Sequence, residues 1–255
     1  MLAYIAETAT LGLIALLTVS LVIAGLVKGV IGVGMPVVAF PLLSMLVDVP
    51  TAVMLLSVPL VLSNIPQALE GGLVMQTLWS LAPVLVGMVP GVWIGVAVLV
   101  NIDPAAAKIV AGTVVIFVAA LTLLAPKLQI KQRLVGPVGL GAGFCGGLLG
   151  GIAALSGPLV IIFLLAKGLS GRAFTKEASM FLVVSSVLLA SALTSSPRFD
   201  WRDVLISTLA TVPVAAGMLV GQKLRDAVPA DAFKKLVVLA VLLSGAQLVW
   251  KGMFT

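Results

Sequence analysis

The 255-residue chain is 61% hydrophobic and 9% charged, with a mean hydropathy of +1.28. A soluble domain carries about 25% charged residues because its surface has to be solvated, so a water-exposed globule is excluded and the surface must face lipid. The net charge of +6 comes without any basic run interleaved with aromatics, which argues against a nucleic-acid-binding protein.

Residues 1–10 contain Glu7 but no lysine or arginine. The positive n-region of a cleavable signal is missing, and the first apolar stretch is read as part of the fold. Apolar stretches run at about 10–30, 35–48, 51–69, 75–99, 104–124, 134–151, 157–167, 174–195, 203–222 and 232–251. A helix needs about 20 residues to cross a 30 Å hydrocarbon core. The six stretches starting near 51, 75, 104, 174, 203 and 232 meet that length. The others are expected to form two broken pairs, 10–48 and 134–167, each interrupted by glycines and a proline.

The two halves of the chain are similar. Gly91-Val-Trp-Ile-Gly95 matches Gly217-Met-Leu-Val-Gly221 at an offset of 126, which also pairs Ala52 with Ala178 and Lys108 with Lys234. Upstream, Gly25, Gly29 and Gly32 match Gly143, Gly147 and Gly150, and Pro36 matches Pro158. Internal duplication is the architecture of many secondary transporters. The reading is an all-α polytopic membrane protein of two repeats, 1–126 and 134–255, joined by a link at 127–133.

Charge sets the orientation. With the link cytoplasmic and each broken pair returning to its starting side, Lys127, Lys131, Arg133, Lys167, Arg172, Lys176, Lys223, Arg225, Lys234 and Lys235 fall inside. Lys108, Arg198, Arg202 and Lys251 fall outside, and Lys28 sits at the first glycine-rich stretch. The excess inside obeys the positive-inside rule. Each half then makes three full crossings plus one hairpin, an odd number, so the repeats are expected to be inverted and both termini extracytoplasmic.

The glycine-rich stretches are where chemistry is expected. The first reads Gly25-Leu-Val-Lys28-Gly29-Val-Ile-Gly32-Val-Gly34-Met-Pro36; the second runs from Gly139 to Gly151 and is followed by Ser156-Gly157-Pro158. Broken backbone at membrane depth is tolerated only against protein or a wet cavity. A helix restarting there offers free N–H groups and a positive dipole end, which suit an anion. Glycines at four-residue spacing also serve as packing contacts, the reading preferred for Gly91/Gly95 and Gly217/Gly221. The candidate substrate-binding residues are Lys28, Gly32, Gly34, Gly150 and Gly151, with Asn64 and Gln67 one turn apart, Ser156 as a cap, and Ser179 on a polar stripe with Ser185 and Ser186. Lys28 is either a counter-charge for an anion or a side chain snorkelling to the interface. Asn64 and Gln67 are either substrate contacts or interhelical bonds. Cys145, alone among glycines, is read as a small buried filler.

The paired glycine motifs, the restarts at Pro36 and Pro158 and the halves of four segments resemble the sulfite exporter TauE/SafE family of membrane permeases. The resemblance implies transport of a small sulfur-containing anion, such as sulfite, sulfoacetate or another organosulfonate, across the bacterial cytoplasmic membrane. No enzymatic activity and no cofactor is expected. The expected partners are the small anion and the bilayer, with no nucleic acid; a homodimer is one assembly such a chain could adopt.

Other functions fit less well. A passive anion channel has the same sequence requirements. An intramembrane enzyme is disfavoured, since the chain has no histidine and Asp200, Asp203, Asp226 and Asp231 fall at loops or helix ends. A membrane subunit of a larger assembly is a third reading. No P-loop is present, and Glu7, Asp48, Glu70, Asp103 and Glu177 look peripheral, which leaves no evident buried carboxylate for proton coupling.

Overall fold

The structure, a computed structural model, describes residues 11–254 apart from 33, 70, 71, 73, 125–127, 226 and 228. Glu7, Glu70, Lys127 of the link, Asp226 and Thr255 lie outside the described residues. The described chain is helical without strands. Its helices are α1 (Leu11–Ile31), α2 (Met35–Ser44), α3 (Val49–Leu69), α4 (Val74–Asn101), α5 (Pro104–Leu124), α6 (Val135–Ala153), α7 (Gly157–Ala166), α8 (Gly171–Thr194), α9 (Trp201–Leu224) and α10 (Ala230–Met253).

Eight of these are long and apolar enough to span a bilayer, two more than the sequence reading allows. The additional two are α1 and α6. Their glycine-rich stretches do not break them: Gly25 and Gly29 lie inside α1, and every glycine from Gly136 to Gly151 lies inside α6. In lipid a backbone group must find its partner within the helix, so a run of glycine stays helical when a neighbour fills the space it leaves. The interruptions are confined to Gly32–Gly34, where both glycines have positive φ (89° and 94°), and to Ala154–Ser156, where Ala154 has φ 58°. The short helices α2 and α7 follow these breaks.

The glycines form two seams. In one, α1 lies along α9: a Cβ on Gly25 or Gly29 would strike the backbone of Val214 or Met218, and one on Gly217 or Gly221 would strike that of Val22 or Leu26. In the other, α6 lies along α4: a Cβ on Gly147 would sit 2.6 Å from the Met88 carbonyl oxygen, and one on Gly95 2.5 Å from that of Leu148. Such contact brings helix backbones together with no side chain between them, the arrangement that maximises van der Waals contact where lipid supplies no hydrophobic drive. Gly91/Gly95 and Gly217/Gly221 are therefore packing residues, as their spacing indicates.

Residue numbers rise together along both seams, so α1 is parallel to α9 and α4 to α6. The helix pair α5–α10 runs antiparallel, since Gly112 faces Gly245 while Gly252 faces Ala105. The pair α3–α8 is antiparallel as well: Ser179 near the start of α8 meets Gln67 near the end of α3, and Arg198 beyond α8 pairs with Asp48 before α3. This pairing is unchanged when the first five helices are exchanged with the last five. Of the long helices α3 is the most buried, and its two faces carry the contacts that define the site.

Two outcomes test this arrangement. Gly91→Ala should lower stability by about 1–3 kcal/mol, read as reduced thermal stability in detergent, because its Cβ would meet the Phe144 carbonyl. Gly141→Ala, with nothing within 4 Å, should cause no loss, and equal melting of the two variants would refute the seam. Because α5 ends at the link and α10 is antiparallel to α5, single cysteines at Gln129 and Met253 in a Cys145→Ala background should label from opposite sides of the membrane. Labelling from one side would overturn the helix directions.

Candidate functional site

Two prolines shape α3. Pro59 has no N–H for the Leu55 carbonyl, and Ser207 of α9 replaces it: its hydroxyl lies 3.1 Å from the Leu55 oxygen and accepts from the Val58 N–H at 3.1 Å. Between Pro59 and Pro66 the helix turns Ser63 and Asn64 toward the end of α1. There the Lys28 ammonium donates to the Ser63 hydroxyl at 2.9 Å and to the Asn64 Oδ1 at 2.6 Å, while the Asn64 amide nitrogen donates to the Leu60 carbonyl at 2.7 Å. Lys28 is 4% exposed. It does not snorkel but points into the protein, and no described carboxylate pairs with it.

Lys28 and Asn64 line a cavity of about 240 Å³. The restart of α2 contributes Gly34, Met35, Pro36 and Val37, and the restart of α7 contributes Gly157 and Pro158. Both broken pairs therefore meet at one cavity. The first residues of a helix have N–H groups without an intrahelical acceptor, and the peptide dipoles add positive potential there. An ammonium has three donors, and Ser63 and Asn64 take two. The arrangement can bind an anion through one cation, an amide and two helix starts.

The remaining sequence candidates are dispersed. Gly32 lies at the break beside Arg225, whose guanidinium donates to the Gly29 carbonyl at 2.9 and 3.2 Å and caps the end of α1. Gln67 and Ser179 are joined to each other at 3.3 Å, an interhelical bond between α3 and α8, and neither lines the cavity. Gly150 faces Ser156, whose Cβ would be 2.8 Å from an added Cβ, and Gly151 packs against Val92 and Val96 of α4. Ser156 occupies the N-cap position of α7 in helical backbone (φ −66°, ψ −27°) and makes no capping bond; its hydroxyl accepts from Ser185 at 2.7 Å. Ser186 bonds its own helix at Leu182. Cys145 is exposed rather than buried, since Gly143 and Gly147 occupy the face of α6 that meets α4.

Of the acidic residues expected at the periphery, Asp48, Asp103 and Glu177 are among the described residues. Asp48 pairs with Arg198, Asp103 accepts from the N–H groups of Ala105 and Ala106, and Glu177 bonds Lys167 and Ser80. Asp203 forms a capping box with Asp200 at the start of α9, and at 2% exposure it is a buried carboxylate where the sequence reading expected none.

The sequence reading did not find the apolar wall opposite Lys28, formed by Leu121 of α5, Ile161 and Ile162 of α7, Leu182 of α8 and Val237 and Val238 of α10. Nothing distinguishes these from other apolar residues in apolar helices. Ser207 was missed too; Pro59 announces an orphaned carbonyl, but the helix that serves it is decided only in three dimensions.

Gly34 has φ 94° and open space around its Cβ position, so Gly34→Ala carries a purely conformational cost. A residue with a Cβ in left-handed backbone costs roughly 1–2 kcal/mol. The variant should melt correspondingly lower and transport less, because the start of α2 shifts. Wild-type melting together with wild-type transport would remove the Gly34 turn from the site.

The family model described as sulfite exporter TauE/SafE matches residues 17–248. No curated protein and no solved structure matches the chain. A match over most of the chain, on an all-helical protein whose two breaks converge on one cavity, makes this a member of the sulfite exporter TauE/SafE family, a family of membrane transporters.

Proposed function

We propose that the protein is a secondary permease for a small sulfur-containing anion, sulfite or an organosulfonate, which binds in the cavity at Lys28 between the restarts of α2 and α7. The observation that carries this reading is the buried Lys28 ammonium on the cavity wall, with only neutral side-chain partners. Burying a charge costs several kcal/mol after relaxation, and a bound anion offsets that cost. The starts of α2 and α7 add the positive potential of their peptide dipoles with no need for further cations.

The mechanism is alternating access between two inverted repeats, 1–126 and 134–255. The exchange pattern of helix partners supports that reading. With the link cytoplasmic, the cavity lies toward the cytoplasmic face, since Leu121 and Thr122 close to the end of α5 line it. At the other face the Asp48–Arg198 ion pair ties the turn before α3 to the turn after α8. Opening that face requires the pair to part. The membrane is the bacterial cytoplasmic membrane in this reading.

Lys28→Met should weaken apparent anion affinity roughly ten- to a hundred-fold, since a desolvated charge-assisted contact contributes about 1.5–3 kcal/mol and 1.4 kcal/mol is tenfold. Lys28→Arg should recover only part of it, because a planar fork cannot replace a compact ammonium held by Ser63 and Asn64. Sulfite and sulfonate uptake into vesicles, with pH and sodium gradients applied separately, measures this. Wild-type affinity in both variants would take Lys28 out of the site.

A further inference from the structure

We propose that the cavity selects a monoanion carrying a short hydrocarbon tail, an alkanesulfonate, over sulfite and over dianions such as sulfoacetate; this rests on the anion site at Lys28. Its two ends are chemically different. Beside Lys28 and Asn64 the Asn64 amide keeps one N–H beyond its bond to Leu60, and the ammonium keeps its third donor. That end accepts one anionic head.

The rest of the cavity is hydrocarbon. Its polar side chains are Lys28, Asn64 and Thr122 among the described lining residues, and the Thr122 hydroxyl is turned back to the Val118 carbonyl of its own helix at 2.8 Å. Ile161, Leu182, Val237 and Val238 offer nothing to a second carboxylate, an ammonium or a hydroxyl. A dianion would leave one charge without a side-chain partner against an apolar wall, at high cost. A lone sulfite would fill only the polar end and leave the wall uncontacted. The volume of about 240 Å³ lies below the roughly 300–1,000 Å³ of pockets for drug-sized ligands, so the tail is short.

The test is competition against labelled 1-propanesulfonate in vesicles of phosphatidylethanolamine and phosphatidylglycerol containing the full-length protein. The competitors are methanesulfonate, ethanesulfonate, 1-propanesulfonate, 1-octanesulfonate, sulfite, sulfoacetate and taurine. Affinity should rise about fourfold per buried methylene from methanesulfonate to 1-propanesulfonate, then fall for 1-octanesulfonate. Sulfite, sulfoacetate and taurine should compete at least tenfold more weakly than 1-propanesulfonate. Val237→Thr, which keeps the shape and adds a hydroxyl, should flatten the chain-length dependence more than it changes methanesulfonate affinity; Leu182→Thr is the second variant should the first not fold.

Equal or tighter competition by sulfite or sulfoacetate, or affinity independent of chain length, overturns the proposal. An affinity that keeps rising through 1-octanesulfonate overturns it too, since the cavity would then open to the bilayer. If these occur while Lys28→Met still weakens competition roughly ten- to a hundred-fold, the anion site stands and only the tail preference fails. If Lys28→Met leaves every competitor unchanged, the anion site itself fails.

Discussion

The close approach of helix backbones along two glycine seams is the constraint on which the molecule depends. A membrane-embedded helix gains little from burying apolar side chains against other helices, because lipid is as apolar as they are. Contact has to come from fit. Here α1 meets α9 and α4 meets α6 with carbonyl oxygens standing where a Cβ would be. Each seam joins a helix of the first half to one of the second, so the seams hold the halves together as well as packing the helices. They also fix relative height: Gly29 lies against the turn 218–222 of α9, which brings Arg225 to the end of α1.

That placement delivers Lys28. With α1 locked to α9 and α9 stitched to the unpaired carbonyl of α3 through Ser207, the two helices that flank the lysine are set by the same neighbour. The proline-bounded stretch of α3 then presents Ser63 and Asn64 at hydrogen-bonding distance. A cation in such a place needs acceptors whatever else it does, and the neutral pair satisfies two of its donors without cancelling its charge. An ion pair with a carboxylate would have neutralised it and left less attraction for a solute. The short helices complete the chamber because they start at the breaks, and both starts line it.

The polar ties at the two faces differ in kind from the seams. Arg198 with Asp48 is a half-exposed ion pair that water and salt weaken, and Lys167 with Glu177 and Ser80 is a more buried one. Such contacts can be broken and remade at modest cost. The seams themselves, with backbone against backbone, have no intermediate positions to occupy.

The sequence by itself determined that the chain is a helical membrane protein, because charge content and segment length depend only on local composition, and the recurrence of glycine and proline pointed to two similar halves. It also singled out Lys28, Asn64, Gly34 and the restarts at Pro36 and Pro158, since a cation, an amide or a helix break is conspicuous in an apolar background. It misjudged the glycine stretches: a glycine inside a helix and one that ends a helix read alike until the neighbouring backbone is known. Gly150 and Gly151 were grouped with the site for the same reason, and Gln67 and Ser179 because they are polar in apolar spans, whereas the fold turns them toward Ser156, toward α4 and toward each other. Only the tertiary structure decided which carbonyl Ser207 serves and which apolar residues face Lys28 across the cavity. Those facts depend on which helix faces lie together, and in a chain this uniformly apolar the faces are distinguished by shape, which no pattern of hydropathy records.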